Sequence, residues 1–221
     1  MEFSEWEPFY IQIQKDFGFS RAKDEESARL LSELVRGKKS CGDACLREII
    51  GEEVTVCGHA PRLEKDLEGR KLRGTVIVAD GATSILMERG IVPQLIVSDL
   101  DGEIAPQVRA NSIGSVAVIH AHGDNMERLR EFVPLFKGKV IASTQSRPFG
   151  NVRNYGGFTD GDRGVVLARH FGAKRILLLG FDFSAPREKA GKDINTKSRK
   201  LEWARKLVYE LNPRNVVLLT P

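Results

Sequence analysis

The chain has 221 residues, 41% hydrophobic and 29% charged, which supplies one sizeable core and excludes a disordered or fibrous composition. Its 34 basic and 30 acidic residues leave a net charge of +4 with no basic tract interleaved with aromatics, so the balance suits a small anionic substrate and gives no support to nucleic acid. No apolar run approaches the roughly 20 residues of a membrane span, and the acidic start Met1-Glu2-Phe3-Ser4-Glu5 is unlike a signal peptide, so the expectation is a cytoplasmic protein that does not engage membranes.

Residues 1–50 read as a helical segment packed on the core of the remaining chain. Ala28, Leu30, Leu31, Leu34 and Val35 recur at helical spacing, with Asp24-Glu25-Glu26 at the start and Gly37 at the end. A second helix is expected over 43–50. This segment carries no obvious chemistry; Trp6, Phe9, Tyr10, Phe17 and Phe19 are expected to pack on the core or on a second copy, which leaves a homodimer open. Cys41, Cys45 and Cys57 cannot all pair within one chain, which fits a reducing compartment. With His59 they could hold zinc, but Cys57 reads as a buried strand residue and Cys41 and Cys45 as one face of a short helix, so no zinc is expected.

From residue 51 onward the pattern changes. Short apolar runs at 54–57, 75–79, 95–97, 116–119, 140–142, 176–179 and 216–219 alternate with helical segments around 62–68, 82–89, 103–110, 125–136, 160–171 and 197–211. The runs are continuously apolar, as strands buried on both faces are, so residues 51–221 are expected to form one α/β catalytic domain. Its architecture is a three-layer α/β/α sandwich with a mostly parallel, Rossmann-like sheet, preceded by the N-terminal helices.

In such a sheet ligands bind beyond the carboxyl ends of the strands. Those ends read Gly58-His59, Asp80-Gly81, Asp99-Leu100-Asp101, His120-Ala121-His122-Gly123-Asp124, Ser143-Thr144-Gln145 and Gly180-Phe181-Asp182. Residues i and i+2 of an extended chain share a side, so Asp99 and Asp101 are expected to project together. Asp80, Asp99, Asp101 and Asp124 would then converge as four carboxylates that require a cation; oxygen-only ligation selects magnesium or manganese over zinc, and magnesium is usually completed by substrate phosphates. Asp80 and Asp124 could equally be helix caps.

Two segments are candidates for holding the phosphates. Gly58-His59-Ala60-Pro61 passes from a strand into a helix and could offer free backbone N–H groups. The basic stretch 189–200, with Lys192, Lys197 and Lys200, reads either as a solvated surface loop or as a lid that neutralises phosphate charge. The loop Asn154-Tyr155-Gly156-Gly157-Phe158-Thr159-Asp160-Gly161-Asp162-Arg163 contains a helix cap at Thr159 and more polar groups than a cap needs. Asp160 or Asp162 could accept two parallel hydrogen bonds from an N–H/NH2 edge such as a 2-aminopyrimidinone presents, with Phe158 or Tyr155 stacked on its ring. Asn154, Thr159, Arg163 and Gln145 complete this candidate acceptor site.

Asp80-Gly81-Ala82, Pro93 and the stretch Ser98-Asp99-Leu100-Asp101-Gly102 resemble thiamine pyrophosphokinase, with Ser98 and Gly102 replacing that family's flanking Gly and Ser. With Gly123-Asp124-Asn125, Gly156–Arg163 and Leu178-Leu179-Gly180-Phe181-Asp182 added, residues 50–221 are more similar to the archaeal 6-hydroxymethyl-7,8-dihydropterin pyrophosphokinases. The resemblance implies magnesium-dependent transfer of diphosphate from ATP to the pterin hydroxymethyl group, a small heterocyclic alcohol, releasing AMP in tetrahydromethanopterin or folate synthesis. It casts Asp99, Asp101 and Asp124 as catalytic, with Asp80 completing the metal site and Asp124 as the candidate proton acceptor. Two readings stay open on the residues alone: a nucleotide-sugar glycosyltransferase with an Asp-x-Asp metal site, and a nucleotide-binding module without turnover.

Overall fold

A computed structural model describes residues 1–184 and 194–221. Three helices come first: α1 Phe3–Phe17, α2 Arg21–Leu34 and α3 Asp43–Ile49. Strands and helices then alternate through β1 Glu53–Cys57, α4 Leu63–Leu67, β2 Thr75–Ala79, α5 Ala82–Glu88, β3 Leu95–Ser98, α6 Ile104–Ser112, β4 Val116–Ala121, α7 Met126–Phe132 and β5 Val140–Thr144. After these come β6 Val152–Arg153, α8 Asp160–His170, β7 Arg175–Leu179, α9 Ile194–Arg205 and β8 Val217–Leu219. The strands form one sheet in the order β6-β5-β4-β3-β2-β1-β7-β8, and each of these neighbouring strands pairs with the next in parallel.

This is the α/β architecture that the apolar runs imply, with all strands but one near their expected positions. β6 has no counterpart among the expected strands, because two residues carry no periodicity. Alternate strand residues feed opposite layers. Val54, Val56, Ile77, Leu95, Val97 and Ile141 pack under α3 and α8, whose Leu46, Val165 and Leu167 share that cluster. On the other face Val76, Val78 and Ile96 lie under α4–α6, and Ala117, Ile119 and Ala142 under α2 and α7. The strand order changes direction between β1 and β7, so a crevice opens there at the carboxyl ends, as it does in open parallel sheets.

Cys41 and Cys45 depart from expectation, whereas Cys57 is the buried strand residue that the sequence suggests. Cys41 lies before α3 rather than on it and forms a disulfide with Cys45, with Cα atoms 5.4 Å apart. Cys57 is a buried thiol in β1, pushed up to about 12 by desolvation. Among the described residues no helix is long and apolar enough to cross a membrane.

Candidate active site

Two cavities open at the carboxyl edge of the sheet and share an acidic wall. The larger, about 660 Å³, lies over β1, β2 and β7 and is lined by Gly58, Asp80, Asp101, Asp160, Phe181 and Lys197, among others. The smaller, about 140 Å³, lies toward β4 and β5 between Asp99, Gln145, Phe158 and Arg163, and α2 closes it with Lys23 and Asp24. Between them Asp80, Asp99 and Asp160 each place a carboxylate oxygen within 4.8 Å of the others.

The backbone builds this wall by abandoning strand geometry. Asp80 (φ 31°) and Leu100 (φ 64°) are the two non-glycine residues in the left-handed region among the described residues. Such conformations are costly and persist only where the surroundings enforce them. Leu100 is buried, and its turn breaks the i, i+2 relation: β3 stops at Ser98, Asp101 N–H donates to Asp99 Oδ1 (3.2 Å), and the two carboxylates face different cavities. The expectation of two aspartates projecting together from an extended strand is corrected accordingly. Gly102 is required here, since a Cβ on it would lie 2.2 Å from Asp80 Oδ2.

Asp80 does not cap a helix. Its Oδ1 accepts from Ser98 Oγ (2.6 Å) and Gln107 Nε2 (2.9 Å). Burial, followed by the neighbouring Asp99 charge, raises its pKa to about 6. Asp160 is pushed well above the usual carboxylate range by desolvation and then by Asp99 and Asp80, and its Oδ1 has no hydrogen-bond partner. Asp99 goes the other way. Desolvation opposes its charge, but the hydrogen bond from His122 (3.2 Å), helped by the Arg163 charge, leaves its pKa lowered. Three close oxygens, two of them on carboxyls destabilised as anions, form a donor set that fits a hard divalent cation.

The fourth metal carboxylate expected from the sequence was Asp124; the structure has Asp160 in the group instead. Asp124 is exposed at the rim of the smaller cavity. The reason lies next door: Asn125 turns inward, donating to Asp99 O (2.9 Å) and His120 O (2.7 Å), so Asp124 faces out. Asp101 lines the larger cavity outside the three-aspartate group.

The structure brings only some of the expected phosphate-cradle residues to the larger cavity. Gly58 and His59 line the larger cavity, and Gly81 lines it against His59, where a Cβ would lie 2.5 Å from the imidazole. The N–H groups of Gly58 and Ala60 are not free, however; they donate to Leu179 O and Gly180 O. Pro61 is exposed in the turn before α4 and lines neither cavity. Lys197 faces the larger cavity and Lys200 the smaller, with its ammonium over the Phe19 and Phe158 rings; Lys192 lies outside the described residues.

In the loop before α8 the predicted roles separate. Asp162 is fully buried, and its oxygens accept from Phe158 N–H, Thr159 N–H (2.8 Å) and Thr159 Oγ (2.7 Å), so it closes the helix cap and does not face an acceptor. Thr159 is its capping partner and also borders the larger cavity. Asn154 is likewise internal, bridging Ser146 O and Gly156 N–H. Tyr155 donates to Asp43 and lines neither cavity, whereas Phe158 packs on Phe17 and lines the smaller one. Gly157 (φ 93°) lets the loop pass close to Arg163, since a Cβ on it would lie 2.7 Å from Arg163 Cα.

Residues 28–188 match the family described as 6-hydroxymethylpterin diphosphokinase MptE-like. The chain belongs to this family. Curated relatives named 6-hydroxymethyl-7,8-dihydropterin pyrophosphokinase are 38% identical in Methanocaldococcus jannaschii, over 97% of both chains, and 42% identical in Pyrococcus furiosus, over 94% of this chain and 93% of that one. A third, from Methanothermobacter thermautotrophicus, is 43% identical over 83% of this chain and 79% of the relative. Among solved structures, the MAf glycosyltransferase of Magnetospirillum magneticum aligns with TM-score 0.54 at 16% identity, over 92% of this chain and 38% of that one, a likeness of fold.

Several residues around this acidic wall are not among the candidates that the sequence suggests. Asp24 supports it from α2, His122 and Asn125 from the turn between β4 and α7, and Gln107 from α6. For His122 and Asn125 the available signal is their place after a strand; Asp24 and Gln107 sit in ordinary helices and give none.

Proposed function

We propose that this chain transfers the terminal diphosphate of ATP to the hydroxymethyl group of 6-hydroxymethyl-7,8-dihydropterin, releasing AMP, and that it works in the cytoplasm. The observation that carries the reading is the acidic wall shared by two cavities of unequal size, in a member of a family whose curated relatives carry the pyrophosphokinase name. The larger cavity has room for a nucleotide with its phosphates toward Asp80 and Asp160; the smaller has the dimensions of a single bicyclic ring.

Asp80, Asp99 and Asp160 would hold magnesium, with Asp101 at the edge of the same wall. When bound, the ion supplies charge neutralisation to the phosphate oxygens. Asp99 borders the acceptor cavity as well as the metal-capable group, so it would align the pterin oxygen for attack on the β-phosphorus, and Asp124, exposed at the rim of the same cavity, is the group placed to take the hydroxyl proton. The bond from that phosphorus to the oxygen bridging the α-phosphate breaks, and AMP departs. Lys197 lies on the nucleotide side, where its charge offsets the departing phosphate, and Arg163 faces the acceptor.

Incubation with ATP, magnesium and the reduced hydroxymethylpterin, followed by chromatography of the nucleotides, tests the assignment. AMP and a pterin diphosphate in equal amounts are expected; ADP would indicate a simple kinase, and neither product would sink the reading.

A further inference from the structure

The helices that precede the α/β unit reach the site through one buried chain of hydrogen bonds. Trp6 Nε1 of α1 donates to the backbone carbonyl of Gln145 (2.8 Å), and Tyr10 OH donates to Asp24 Oδ2 (2.7 Å). Gln145 Nε2 donates to the same Asp24 oxygen (2.8 Å), while Asp24 Oδ1 accepts from Gly123 N–H (2.8 Å). The other end of the Gln145 amide, Oε1, accepts from Arg163 (3.2 Å), and Arg163 in turn lies 3.8 Å from Asp160 Oδ1. Trp6, Tyr10, Asp24, Gln145 and Arg163 are all buried.

The chemistry of the ends fixes the middle. A carboxylate only accepts and a guanidinium only donates, so the Gln145 amide has one orientation that satisfies both. Asp24, Gln145 and Arg163 all border the smaller cavity, and none borders the larger. Arg163 also keeps a buried Nε–H without a hydrogen-bond partner, so its orientation rests on few contacts.

We infer that Asp24 is a positioning residue for the acceptor: by orienting the Gln145 amide it holds Arg163 between the smaller cavity and the acidic wall. The inference rests on the assignment of that cavity to the acceptor. It makes α2 part of the specificity machinery, although Asp24 touches neither the nucleotide cavity nor the metal-capable group.

Steady-state kinetics with both substrates varied separates the possibilities. Wild-type turnover of ATP with the reduced hydroxymethylpterin is established first; its absence would count against the function and not against the relay. In Asp24→Asn the new NH2 group opposes either the Gln145 NH2 or the Gly123 N–H, so the side chain loses one of the contacts that fix it against Gln145, and the acceptor KM should rise by about tenfold or more while the KM for ATP stays within about twofold. Gln145→Glu alone sets two carboxylates face to face and should also raise the acceptor KM. The double variant Asp24→Asn/Gln145→Glu restores a donor opposite an acceptor at both contacts with the same total charge. It should recover most of the acceptor affinity, which general damage to the fold would not do. An unchanged acceptor KM in Asp24→Asn, equal losses for both substrates, or a double variant as impaired as the sum of the singles would each overturn the inference.

Discussion

Asp160 gathers three unfavourable conditions in one side chain: desolvation, two neighbouring carboxylates and an oxygen with no hydrogen-bond partner. A group in that position costs stability and persists where function requires it. Asp160→Asn removes the like-charge repulsion, so the metal-free variant should melt at the same temperature as wild type or higher. Turnover should nonetheless fall about a hundredfold or more, because the donor set loses a charged oxygen. Scanning calorimetry with and without magnesium checks the link: wild type should gain melting temperature on adding the ion and the variant much less. Undiminished turnover in Asp160→Asn would remove it from the metal site.

Elements set the angles at which these side chains meet. β3 ends one residue before Asp99, and the left-handed Leu100 then divides Asp99 and Asp101 between two cavities. α8 begins at Asp160 under a cap in which Asp162 and Thr159 hold each other, and that cap fixes where Asp160 and Arg163 point. Asp162→Ala leaves the buried Phe158 N–H and the part-buried Thr159 N–H without their acceptor and should destabilise the fold by about 2 kcal/mol in denaturant unfolding. A loss below a few tenths of a kcal/mol would show that the cap is dispensable.

At the scale of the whole molecule the acidic wall couples stability to pH. Asp80 has an ordinary value of 3.8 and is raised to about 6 by burial and by Asp99, and Asp160 is raised too. Both groups ionise at higher pH in the folded chain than in the unfolded one, so their contribution to stability is fully present at acid pH. The Asp80 part is lost as pH rises from 3.8 through about 6. Metal-free wild type should therefore lose melting temperature across that window relative to Asp80→Asn, and saturating magnesium should flatten the difference. Parallel curves for the two proteins without metal would contradict the raised value.

The sequence by itself determined every strand but β6, most of the crossover helices and the edge at which chemistry gathers. Those come from local apolar runs and from the rule that parallel strands bring their carboxyl ends together. Pro93, Asp99-Leu100-Asp101 and the loop through Arg163 also carried the family likeness. Tertiary structure decided which aspartates meet. Asp160 replaces Asp124 because Asn125, and not its neighbour, turns inward to hold Asp99 and His120. Asp162 is withdrawn into a cap, and Asp24 enters from a helix more than a hundred residues away from Gln145 in the chain. A side chain's direction at a turn depends on backbone angles and on partners distant in sequence, and neither is written in local spacing.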